Sequence, residues 1–213
     1  MGSWGARPYL DSTTMHHLFV KLLKNEYGIW LKWILATLVG FLVSLYWVEI
    51  GERSDIRAVE GTIGGVVIGL AQWFVLKQRF SGIWWWILAS AIGWGLLGSL
   101  KFGALGWVAP KVMSIPLRVI YGTMDGATVG ALIGVGQWLV LNKKSQKAWQ
   151  WVVASTLGWS IGLAFGWTVG AVLRKVMGIF LGEVVGLALG WVVVAAITGV
   201  ALCHVTERAA IQE

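Results

Sequence analysis

The chain has 213 residues, 57% of them hydrophobic and 13% charged, with 29 glycines, 16 tryptophans and 3 prolines; this balance excludes an ordinary soluble domain and points to an integral membrane protein. Its net charge of +7 does not indicate nucleic acid, because the basic residues are scattered through predicted loops and form no stripe with interleaved aromatics. The lone Cys203 excludes an internal disulfide, and neither it nor His16, His17 and His204 has a second ligand at metal spacing.

Residues 1–28 form a polar N-terminal segment. The first apolar run after it is too long for a signal peptide and lacks a small-residue cleavage site, so it is expected to remain as a helix. Six spans are predicted: Ile29–Val48, Val59–Leu76, Ile83–Leu100, Leu117–Leu141, Trp149–Val172 and Gly178–Cys203. Each is long enough to cross about 30 Å of hydrocarbon at about 1.5 Å per residue. The connections are too short to hold a soluble domain, and residues 205–213 make a short tail.

Arg and Lys number ten on the N-terminal side of these spans (Arg7, Lys21, Lys24, Lys32, Lys77, Arg79, Lys143, Lys144, Lys147, Arg208) and seven on the other (Arg53, Arg57, Lys101, Lys111, Arg118, Arg174, Lys175). Glu49, Glu52, Asp55 and Glu60 crowd the first loop of that second side. The positive-inside rule then places both termini in the cytoplasm.

A shift of 65 residues aligns 60–94 with 125–159 without a gap and with 14 identities: Gly61, Gly65, Ile68, Gly69, Gln72, Trp73, Val75, Leu76, Trp84, Trp86, Ala89, Ser90, Gly93 and Trp94. The phrases WILATLVGF from Trp33, WILASAIGW from Trp86 and WVVASTLGW from Trp151 extend the repeat to a third copy. Even spans carry a glycine every fourth residue: Gly61, Gly65, Gly69; Gly122, Gly126, Gly130, Gly134; Gly178, Gly182, Gly186, Gly190. Three αα-hairpins, about 29–76, 83–141 and 149–203, are therefore expected to enter the membrane in one direction around an axis along its normal. Glycines at this spacing share a helix face and let backbones approach, which predicts an all-α six-helix bundle packed as a glycine zipper.

At about 100° per residue Gln72 lies on the face of Gly61, Gly65 and Gly69 and points into the bundle. Equal depth pairs it with Ser90 on the adjacent antiparallel helix, and Gln137 with Ser155 likewise, as interhelical hydrogen bonds. The alternative is that the glutamines line a solute path or ligate a pigment metal. Trp30, Trp33, Trp73, Trp84, Trp85, Trp86, Trp138, Trp149 and Trp151 lie where an interfacial aromatic belt is expected. Trp94 and Trp159 lie about 12 Å deeper and are read as packing residues.

Glu60 and Asp125 are equivalent under the repeat, and Glu183 opens the third even span, which raises the prospect of a carboxylate ring at a cation path. Glu60 and Asp125 fall near the outer interface, where a first-turn carboxylate is stabilised by the helix dipole without any transport role. The glycine register aligns Glu183 with Thr62 and so removes it from the ring. No nucleophile, base and orienting acid share a catalytic spacing, so no enzyme activity, catalytic residue, metal or cofactor is expected.

The combination GxxxGxxQWxxL followed by WxxxASxxGW is carried by Gly65–Leu76 with Trp86–Trp94 and by Gly130–Leu141 with Trp151–Trp159. It resembles a group of uncharacterised tryptophan-rich multipass membrane proteins of bacteria, mainly cyanobacteria. The resemblance implies an inner or thylakoid membrane and no particular activity. The leading expectation is an accessory, scaffold or assembly component contacting lipid and a membrane complex or another copy of itself. A permease or channel along the pseudo-symmetry axis is the alternative, and pigment or lipid binding a weaker one.

Overall fold

The computed structural model describes residues 12–51, 56–100 and 103–206, with side chains from residue 27 onward. Helices α1 (Ser12–Ser44), α2 (Ala58–Leu76), α3 (Trp85–Ser99), α4 (Ile115–Leu141), α5 (Trp149–Met177) and α6 (Leu181–Thr206) account for most of it, with one 3-10 turn at Leu105–Trp107. Five helices are long and apolar enough to cross a membrane. The exception, α3, has 15 residues, about 22 Å of helix.

Several boundaries shift by a few residues, and two of the differences change an assignment. Helix α1 starts at Ser12, so it takes in most of the segment assigned to a polar tail; His16 and His17 lie on it, their side chains outside the described set. Gly178, expected to open the last span, instead ends α5: it has a left-handed φ of 70° and its N–H returns to the Arg174 carbonyl. Only glycine adopts that conformation without strain, so the residue stops one helix rather than starting the next.

Each helix packs on its chain neighbours, and α6 returns to α1, closing a ring of six. The closest backbone approaches are made by glycine faces. A Cβ on Gly65 would lie 2.6 Å from the Ser90 carbonyl oxygen of α3, and one on Gly69 3.1 Å from the Ile87 Cα. Gly61 abuts the Trp94 carbonyl in the same interface. On α4, Gly126 and Gly130 abut the carbonyls of Trp159 and Ser155 in α5, and Gly134 faces the Ser155 Cβ at 3.0 Å. On α6, Gly182 and Gly186 abut the α5 backbone at Arg174 and Gly166, and Gly190 approaches the Gly162 carbonyl at 2.7 Å. The tight interfaces are thus α2 on α3, α4 on α5 and α6 on α5. Two of the three cross the expected hairpin divisions.

In a ring of six the centre lies as far from each helix axis as neighbouring axes lie from each other, about 8–10 Å. Small residues between neighbours therefore require large residues on the axis. Indoles fill it in two layers. Trp33, Trp86 and Trp151, from alternate helices α1, α3 and α5, meet edge to face with centroids 5.9, 5.6 and 5.2 Å apart. All three are buried, which corrects their assignment to the interfacial belt. Trp84, Trp85 and Trp149 are exposed, as belt residues are. The second layer joins Trp94, Trp159 and Trp191 at 5.2, 4.6 and 5.7 Å, with Phe41 stacked on Trp191 at 5.4 Å.

Part of the α3–α4 connection folds inward. Residues 103–110 are all buried, and Trp107 packs on Trp94 at 4.8 Å and on Trp191 at 5.7 Å. This segment caps the second indole layer from the end opposite the start of α1 and the end of α6. Irregular backbone is tolerated at such depth only where protein satisfies its polar groups. Here Gly51 exchanges backbone hydrogen bonds with Trp107 and Ala109, Ala104 N–H donates to the Ile56 carbonyl, Trp191 Nε1 donates to the Gly106 carbonyl at 2.9 Å, and Trp167 Nε1 to the Val108 carbonyl at 2.8 Å.

Candidate functional site

One group of buried polar residues collects between the two indole layers. Gln72 and Gln137 are 7% and 5% exposed, and Ser90 and Ser155 1% each. Trp86 Nε1 donates to Gln72 Oε1 at 3.0 Å, and Gln72 Nε2 donates to Thr37 Oγ1 at 3.2 Å. One repeat later, Trp151 Nε1 donates to Gln137 Oε1 at 3.0 Å, and Gln137 Nε2 donates to Ser90 Oγ at 3.1 Å. A third tryptophan, Trp33, donates to Thr198 Oγ1 at 3.0 Å.

The pairing differs from the expectation of Gln72 with Ser90 and Gln137 with Ser155. Each glutamine stands on a helix between two neighbours, and equal depth holds for both. The carbonyl is taken by the indole N–H of the following helix, so the amide turns back to the hydroxyl of the preceding one. Thr37 and Ser90 hold matching places in the WILAT and WILAS phrases. Thr198, missed in the sequence, takes the acceptor place on α6, and Val194 lies four residues before it as Ile68 and Ile133 do before Gln72 and Gln137. The register of α6 is thereby set by its threonine rather than by its glycines.

Thr37, Gln72, Gln137, Ser155 and Thr198 line a cavity of about 20 Å³, walled by Trp33 and Trp151 on one side and Trp94, Trp159 and Trp191 on the other. None of its lining residues is ionisable. Trp94 and Trp159 serve as packing residues in this wall.

The three acidic candidates sit in three different settings. Glu60 lies in the first turn of α2, where its Oε2 accepts the Arg57 N–H at 3.2 Å. Asp125 is half-buried and lies ten residues beyond Ile115, the first residue of α4, too far along for the stabilisation by a helix terminus that its repeat position implied. Glu183 is 1% exposed and forms an ion pair with Arg118, itself fully buried.

In the sequence Arg118 stands only as one of the loop charges. Its Nη1 and Nη2 donate to Glu183 Oε2 and Oε1, each at 2.8 Å; Nη1 also donates to the Trp167 carbonyl, Nη2 to that of Pro110, and Nε to that of Val112. The guanidinium thus ties the buried α3–α4 connection to α5 and α6. Gly170 makes room for the carboxylate, since a Cβ there would lie 2.6 Å from Glu183 Oε2. Arg174, 42% exposed, approaches the same carboxylate at 3.7 Å. The signal available in the sequence was the uncharged stretch GALGWVAP at 103–110, too apolar for a solvated loop and followed by an arginine able to satisfy its carbonyls.

The chain matches no protein-family model, no curated protein and no solved structure, and its function is read from this geometry.

Proposed function

We propose that the chain is a non-enzymatic multipass protein of a bacterial inner or thylakoid membrane that serves as a scaffold or assembly component of a membrane complex. In this reading all six helices span, as three repeats about an axis along the membrane normal, with glycine-zipper packing and both termini cytoplasmic. The observation that carries it is the filled axis: two indole layers and the buried 103–110 segment occupy the place where a permease would hold its path. The interior amides are engaged with indoles and hydroxyls, and the outward residues of every helix are large and apolar, as lipid or a partner span requires.

Native mass spectrometry of the protein extracted mildly from its own membrane tests the proposal. A stoichiometric protein partner is expected. A partner-free particle that conducts a small solute in proteoliposomes overturns it.

A further inference from the structure

We propose that the central cavity is a binding site for one buried water molecule, which replaces a third glutamine amide. The proposal rests on Ser155, which holds the place that Thr37 and Ser90 hold in their own phrases. Those two hydroxyls each accept an amide N–H, from Gln72 and Gln137. Ser155 is 1% exposed and lines the cavity, yet its hydroxyl has no hydrogen-bond partner among the described residues. The residue that would supply one is Thr198, which accepts from Trp33 as the glutamines accept from Trp86 and Trp151. Threonine has no amide to extend toward the next helix. Its own hydroxyl is committed to the Val194 carbonyl at 2.8 Å.

An unsatisfied buried hydroxyl is costly, and the space beside this one has a defined size. A cavity of about 20 Å³ exceeds the roughly 10–15 Å³ one water needs, without room for two. The glutamine carbonyls keep a lone pair each, and Ser155 offers both a donor and an acceptor. Water meets this mixed set. A cation does not, because no lining residue carries a compensating charge.

A crystal structure of the full chain at a resolution that shows ordered solvent gives the direct test. A peak within hydrogen-bond distance of Ser155 Oγ and of a second lining polar atom is expected, and an empty cavity overturns the proposal. Ser155→Ala provides a second readout whose sign discriminates. If water bridges the hydroxyl, its loss lowers Tm in detergent by about 2–4 °C. If the cavity is dry, removing a stranded hydroxyl leaves Tm unchanged or raises it, which overturns the proposal. Unfolding in ammonium chloride and in sodium chloride should coincide, whereas selective stabilisation by ammonium would assign the site to a cation instead.

Discussion

Arg118 and Glu183 meet through two parallel hydrogen bonds of 2.8 Å across 65 residues, from helices that are not adjacent in the ring. Both are removed from solvent, so their attraction acts in a medium of low dielectric, and three backbone carbonyls satisfy the remaining guanidinium donors. Loss of one partner strands a buried charge. Glu183→Leu or Arg118→Met should each destabilise the protein by about 3–5 kcal/mol in detergent unfolding. The double variant should be less destabilised than the sum of the two, though short of full recovery, because the carbonyls of Pro110, Val112 and Trp167 stay unpaired. Additive losses would mean the pair is uncoupled.

The buried connection depends on Gly106, where a Cβ would lie 2.6 Å from Trp94 Cη2 and 2.9 Å from Trp191 Cζ2. Gly106→Ala overpacks this contact and should cost about 1–3 kcal/mol. Against a Cys203→Ser background, a cysteine at Val108 should be protected from a water-soluble thiol reagent, and Gly106→Ala should speed its labelling. Rapid labelling without that change would place the segment outside the bundle.

The interior amides predict coupling back to the preceding helix, within the expected hairpins, rather than across to the following one. Double-mutant cycles on Gln137 with Ser90 and on Gln72 with Thr37 should give interaction energies of about 0.6 kcal/mol, the average for such bonds in membrane helices. Cycles on Gln72 with Ser90 should be smaller. The reverse ranking would place each amide on the serine of the following helix.

Two glycines of α4 separate packing from composition. Gly130 abuts the Ser155 carbonyl, whereas a Cβ on Gly136 would meet its nearest neighbour, the Ala89 carbonyl oxygen, at 3.8 Å. Gly130→Ala should therefore lower Tm, while Gly136→Ala should leave it unchanged or raise it by relieving the helix cost of glycine. Equal effects would show that the first face is not a close contact.

Orientation is tested at Ser81 and Ser114, which are exposed at opposite ends of the bundle. In intact cells, against the Cys203→Ser background, an impermeant thiol reagent should label a cysteine at Ser114 and spare one at Ser81. The opposite result would reverse the topology.

The helical class, the length of most spans and the inward amides are legible in the sequence, because each follows from local rules: apolar run length, the 3.6-residue period and the recurrence of one phrase. Gln72 points inward wherever its neighbours lie, since it shares a face with Gly61, Gly65 and Gly69. Its partner is another matter, because a helix in a ring has two neighbours at equal depth and only packing chooses between them. The same limit separated Trp33, Trp86 and Trp151 from the belt to which their depth assigned them, as depth says nothing about which side of a helix meets the axis. The inward fold of residues 103–110 and the Arg118–Glu183 pair were decided by contacts between segments far apart in the chain. A loop can be buried only if distant groups satisfy its backbone, and those groups become identifiable once the helices are in place.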